Sequence, residues 1–520
     1  MNMRTYRWLI VLVLAVALTA GAGLAASGKT VAQLRADARE LLLQQSEMFW
    51  NSYVYGKPSD QASLYRQYEY LFTLDSIGKV KKALAEETDA DQKRALDYFL
   101  HYLEVEYIGN QTAELNDIYF DLEAQLKVLV DGKLVPYRSL HGIIANESDP
   151  ARRAELAKEE YRTYGLLNSV ILRRIIDKSH RLAKQLGYSD YLELSVVYKN
   201  FDLETQLKLA REFLDQSEEF YLKWFDELSD IPRDKFRRSD ISRLLGAKQY
   251  DEYFTRENLL PSAMTVFDDM GLGDIARNKI KVHDEELEKK VPRAACFPIR
   301  VPEDVRMTIK PIGGISDYSA LYHEFGHAQH FANGTTPIWE FQQLGSYAVT
   351  EGYAYIFESL PEREEWLKVN TKMNAEQRAD FRKRAAFAKL YMARRYMAKL
   401  IYETEFHRGV ENPQARYQYW LSKAYGFQLT DEEATRYLSD LDPFLYATDY
   451  VQAFYLEAML NSYLTTHFGA KWWENKKSGA FLQELWTVAN KWSGVELARK
   501  LGFAGYDNQM LFEYIRNIGK

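Results

Sequence analysis

The chain has 520 residues, 47% hydrophobic and 27% charged, with a net charge of −7 at neutral pH, 13 Pro, 27 Gly and a single Cys. Its apolar and aromatic content can fill a large core, which excludes disorder over most of the length, and one cysteine excludes a disulfide scaffold. An acidic balance with no basic block behind it argues against a nucleic-acid partner, and the scarcity of helix breakers favours a mainly α-helical protein. The 37 Tyr and 10 Trp are a marked excess of aromatic surface.

Residues 1–25 read as a signal peptide. Arg4 and Arg7 form a positive start, Trp8 to Ala20 is a short apolar run, and Gly23 and Ala25 are the small residues a signal peptidase reads. A periplasmic or secreted location follows as the expectation, with an N-terminal membrane anchor as the alternative. No later apolar run approaches 18 residues, so residues 26–520 are expected to make no stable membrane insertion. From Thr30 to Leu228, apolar residues recur three and four apart in helix after helix, as in VAQLRADARELLLQQSEMFW. Asp149-Pro150 heads one helix; Gly187 ends another, and the next begins near Ser189. No repeat or low-complexity linker divides this stretch, and residues 26–520 read as one unit.

The best strand candidate is Val305 to Ile312, where Pro311 marks a sheet edge or the strand's end. Gly313-Gly314 closes it, and Asp317 is placed to cap the helix that follows. That helix carries His323-Glu324-Phe325-Gly326-His327. Residues four apart share a helix face, so both imidazoles can reach one Zn2+ ion. Glu324 lies beside the open coordination position, where it can take a proton from a water. A third ligand is required. His330, three residues past His327, falls on a neighbouring face and reads as structural, and no histidine follows at metzincin spacing. Glu351, 24 residues past His327, begins a second helical pattern, with Glu358 two turns later on the same face. Glu351 reads as the third zinc ligand and Glu358 as a carboxylate orienting a ligand histidine, against the plainer reading of Glu358 as a solvated helix residue.

A strand, a His-Glu-x-Gly-His helix and a glutamate on a second helix resemble the gluzincin peptidases. DVRMTIKPIGGISDYSALYHEFGH is similar to the angiotensin-converting-enzyme family; LGYSDYLEL and the Glu351/Glu358 spacing resemble the thimet oligopeptidase and oligoendopeptidase families. The resemblance is specific over about residues 300–360. It implies a mainly α, two-lobed, prolate fold with a deep central cleft, a small edge sheet near the zinc helix and short peptide substrates. It also implies a late His and Tyr cluster for the oxyanion of the transition state. Here the matching segment, Asp440 to Leu460, has Tyr446 and Tyr450 but Ala453 where those families place another tyrosine, and the upstream histidine is absent. Tyr450, then Tyr446, is the expected donor, with Tyr455 in an offset register as the alternative; His407 and His467 are candidates for the missing imidazole. No lysine stands where a converting enzyme would hold a terminal carboxylate. The expectation is a zinc oligopeptidase. Its rivals are a dipeptidyl carboxypeptidase and a zinc-containing peptide-binding protein with weak or no catalysis.

Overall fold

The computed structural model describes residues 28–520, so the signal-peptide reading of residues 1–25 lies outside the described residues. Among the described residues the protein is overwhelmingly α-helical, with two small sheets. Helix α1 (Val31–Tyr55) starts at Thr30, whose hydroxyl accepts from the Gln33 N–H while the Gln33 side chain accepts from the Thr30 N–H. It ends at Gly56 in the left-handed region. Helix α2 (Ala90–Gln125) runs into a hairpin of β1 (Lys127–Val130) and β2 (Lys133–Pro136), turned by Asp131-Gly132, both at positive φ. Asp149 caps the Pro150–Leu167 helix with Pro150 at its first position. Asp190, one residue past the expected Ser189, caps α3 (Tyr191–Lys199). No helix among the described residues is long and apolar enough to cross a membrane.

The second sheet corrects the strand expectation. Strands β3 (Ile280–His283), β4 (Ala295–Arg300) and β5 (Asp304–Thr308) lie in the order β3-β5-β4, with β3 parallel and β4 antiparallel to β5. The strand read from residues 305–312 is therefore the centre of the sheet and stops before Pro311. The edge beside the site is β4. Composition marked β5 as a strand, but its rank depends on two partners, one of which carries Pro298. A proline lacks the ladder donor, and an edge tolerates that. Trp50 and Val54 of α1 pack with Ala295, Phe297 and Ile299 of β4. Val305 and Met307 share a core with the helix that follows.

That helix, α4 (Ile315–Ala332), begins after Gly314; Asp317, in its first turn, accepts from the N–H groups of Ile312 and Gly313, both at 2.7 Å. Helix α5 (Tyr347–Glu358) lies between α4 and α7 (Ala447–Phe468), and α6 (Ala375–His407) backs α7. Two glycines permit this spacing. A Cβ on Gly326 would fall 2.5 Å from the Ala354 Cα and 2.9 Å from the Tyr353 carbonyl, both backbone atoms. A Cβ on Gly352 would meet the Leu456 Cβ at 2.8 Å. Gly326→Ala must push two helices apart and is expected to cost about 1–3 kcal/mol in denaturant unfolding. Gly165→Ala, where a Cβ meets nothing within 4 Å, is expected to be neutral or stabilising by up to about 1 kcal/mol. Equal stabilities for the two variants would contradict this packing.

Candidate metal centre

His323 and His327 project from one face of α4 and are nearly fully buried, as are Glu324 beside them and Glu351 in the second turn of α5. The two Nε2 atoms face each other at 3.1 Å; Glu351 Oε2 lies 3.6 Å from the first and 4.0 Å from the second. The other ring nitrogens are engaged outward. His323 Nδ1 donates to Glu358 Oε2 and His327 Nδ1 to Thr350 Oγ1, each at 2.8 Å. With both Nδ1 atoms engaged outward, the two Nε2 atoms are in hydrogen-bond contact with each other and lie beside a Glu351 oxygen that has no hydrogen-bond partner. Donors around a tetrahedral zinc stand about 3.3 Å apart by the usual bond lengths. The set therefore fits a zinc ion, with two imidazoles and one carboxylate as ligands.

Electrostatics agree with the donor set. Burial pushes Glu351 up to about 7, a rise that His323 opposes and the neighbouring carboxylates Glu324 and Glu358 reinforce. Burial also lowers His327, and the neighbouring His323 lowers it further. For His323 burial works downward, but the hydrogen bond to Glu358 and the surrounding carboxylates prevail and raise it to about 9. Burial raises Glu324, opposed by His323, Arg293 and the nearby Cys296 backbone of β4.

A cavity of about 340 Å³ opens beside these groups, between α1, α2 and the end of α3 on one side and β4, α4 and α5 on the other. Glu324, His327 and Glu351 line it, as does Tyr446. Tyr446 sits at the head of α7 after two consecutive non-glycine residues in the left-handed region, Phe444 (φ 50°) and Leu445 (φ 53°). Such backbone is costly and persists only where its surroundings impose it. Here the Tyr191 hydroxyl accepts from the Phe444 N–H at 2.9 Å, Glu403 accepts from the Asp442 N–H at 2.8 Å, and Lys399 pairs with the Asp442 carboxylate. Tyr450 lies one turn deeper, buried with its ring centre 4.5 Å from that of Tyr396 and 5.1 Å from that of Tyr446. It does not line the cavity.

Other candidates lie elsewhere. Tyr455 donates to Asn508 and stacks on Tyr506, away from the cavity. His407 is buried in a hydrogen bond with His180, and His467 lies against Tyr463. Neither replaces the missing imidazole at the cavity wall. His330 packs between Phe331 and Tyr353. Sequence reasoning missed Thr350, which only the fold sets against His327. It also missed Lys199, which lines the cavity and pairs with Asp449 from 250 residues away. The neighbouring helical spacing of His327 and Thr350 carries no signal across two helices.

No protein-family model matches the chain, and no curated protein matches it. The ligand set itself decides the type. It is that of a gluzincin-type zinc-peptidase site, and it points to no single family. Because Glu358 and Thr350 fix the ligand rings, Glu358→Gln and Thr350→Val are each expected to weaken zinc binding by about 10–100-fold. Competitive titration with a chelating indicator measures this, and affinity unchanged in both variants would refute the assigned orientation of the rings.

Proposed function

We propose that the chain is an exported zinc-dependent metallopeptidase that hydrolyses peptide bonds in short, unfolded oligopeptides. The observation that carries this reading is the convergence of His323, His327 and Glu351 beside a buried, cavity-facing Glu324. Zinc held there supplies Lewis acidity, which polarises a carbonyl and acidifies water. Glu324 takes the proton of the attacking water and returns it to the departing amine nitrogen. Tyr446 donates its O–H to the oxyanion that develops on the carbonyl. Its place on the cavity wall favours it over Tyr450, which sits behind it and holds its ring.

The edge strand supports extended substrates. Cys296 and Pro298 of β4 line the same cavity as Glu324, and the Pro298 carbonyl accepts from Gln343 at 3.2 Å. A peptide laid along β4 would pass directly before the base. A cavity of about 340 Å³ admits a few residues of unfolded chain and no folded domain. Export rests on the sequence of residues 1–25, and a single catalytic unit over residues 26–520, with two lobes about the cleft, is part of the same proposal.

One observation favours the dipeptidyl carboxypeptidase reading: Lys199 does reach the cavity. Asp449 already neutralises it, so a substrate carboxylate would have to compete for it. Ala453 remains the observation behind a binding protein without catalysis.

The test is a peptide-library digest read by mass spectrometry. Cleavage is expected in the zinc-loaded protein and lost with a chelator. Glu324→Gln should lower kcat by about 10²–10⁴-fold with zinc retained, and Tyr446→Phe by about 10²–10³-fold. Hydrolysis undiminished in Glu324→Gln would refute the mechanism. Uniform two-residue losses from the C-terminus would replace the oligopeptidase reading by its rival.

A further inference from the structure

The cavity wall formed by α2 carries a carboxylate that the proposed chemistry does not use. Tyr98, His101, Tyr102, Val105 and Glu106 recur at helical spacing and all face the cavity. Of the other acids that line the cavity, Glu324 and Glu351 belong to the candidate metal centre, and the acids just behind its wall have cationic partners. Glu104 has Lys81 and His101, Asp449 has Lys199, and Glu358 has His323. Glu106 has the Tyr65 hydroxyl, which donates to it at 2.9 Å, and among the described residues no Lys, Arg or His pairs with it. Desolvation pushes it up to about 7, with no cation opposing. Interior carboxylates are normally paired, and this one faces a space large enough for a ligand.

Its neighbours suit a cation. The phenols of Tyr65, Tyr102, Tyr198 and Tyr347 all feel its charge, and aromatic faces attract ammonium and guanidinium groups. The same wall already holds one ammonium in this way. Lys199 Nζ lies 5.0 Å from the Tyr198 ring centre, 5.4 Å from that of Tyr347 and 4.6 Å from that of Tyr446, with Asp449 as its counter-ion. With Lys199 matched by Asp449, Glu106 is the surplus charge on this wall.

We propose that Glu106 and the surrounding tyrosine rings form a subsite for a cationic group of the peptide, either its α-ammonium or the side chain of a Lys or Arg residue. The proposal deepens the peptidase reading and rests on it for the ligand being a peptide. The subsite would set which peptides are taken, and it gives part of the tyrosine excess a task.

The test uses four peptides of one sequence, with a free or acetylated N-terminus and with Lys or norleucine at a single position. Affinity is measured by calorimetry in zinc-loaded Glu324→Gln protein, and turnover in the wild type. Removing the recognised cation is expected to weaken binding by about tenfold or more. Loss on acetylation assigns the α-ammonium, and loss on the norleucine change assigns the side chain. Adding Glu106→Gln should reduce that preference to less than about twofold, with folding checked by thermal melting. Equal affinity for all four peptides overturns the subsite without recourse to any Glu106 variant, as does a preference that survives Glu106→Gln. Turnover with no preference for the cation refutes the subsite alone. Cation-dependent binding with no turnover of any peptide supports the subsite and refutes the peptidase reading.

Discussion

Helices α4 and α5 approach until the backbone of one meets the backbone of the other at Gly326. This contact lets Glu351 reach an imidazole pair on another helix, and it places Thr350 against the second ring and Glu358 against the first. The far side of α5 packs closely on α7 where Gly352 meets the Leu456 side chain, and the head of α7 carries Tyr446 to the cavity. Three helices and two glycines thus fix the ligands, the groups that orient them and the phenol proposed to face the reacting carbonyl. A side chain at Gly326 would move the carboxylate away from the histidines before it disturbed anything else.

Assembling these groups in the interior is unfavourable without a cation. Two imidazole nitrogens meet at 3.1 Å, and a third donor oxygen nearby has no hydrogen-bond partner. The desolvation of carboxylates is compensated only when positive charge enters the same space. Metal binding and the packing of α4 on α5 are therefore linked, because the ion is held only when both helices are in place. Away from the metal, the cavity repeats the theme with other means: Lys199 with Asp449 and three tyrosine rings, Glu106 with Tyr65.

The helical class was legible because it rests on a period that recurs along hundreds of residues and on few breakers. The His-Glu-x-x-His face and the Glu351/Glu358 pair were legible for the same reason, since each lies within one helix, where spacing fixes geometry. What was not legible depends on contacts between distant segments. The rank of β5 within its sheet required β3 and β4, so Pro311 read equally as a sheet edge or the strand's end, and the fold decides for the end. Thr350, Lys199 and Glu106 acquire their roles only from helices that meet in space. Tyr446 reaches the cavity through a left-handed turn at Phe444 and Leu445, residues whose side chains give no hint of that backbone. Of the histidines away from the metal centre, His407 and His467 lie off the cavity, and His101 of α2 lines it.

X-ray absorption at the zinc edge of the purified, metal-loaded protein tests the central point most directly. One zinc per chain is predicted, with nitrogen and oxygen neighbours at about 2.0–2.2 Å and an imidazole signature that is lost in the His323→Ala, His327→Ala double variant. A sulfur neighbour, a signal unchanged in that variant, or no bound zinc would contradict a metal centre at His323, His327 and Glu351.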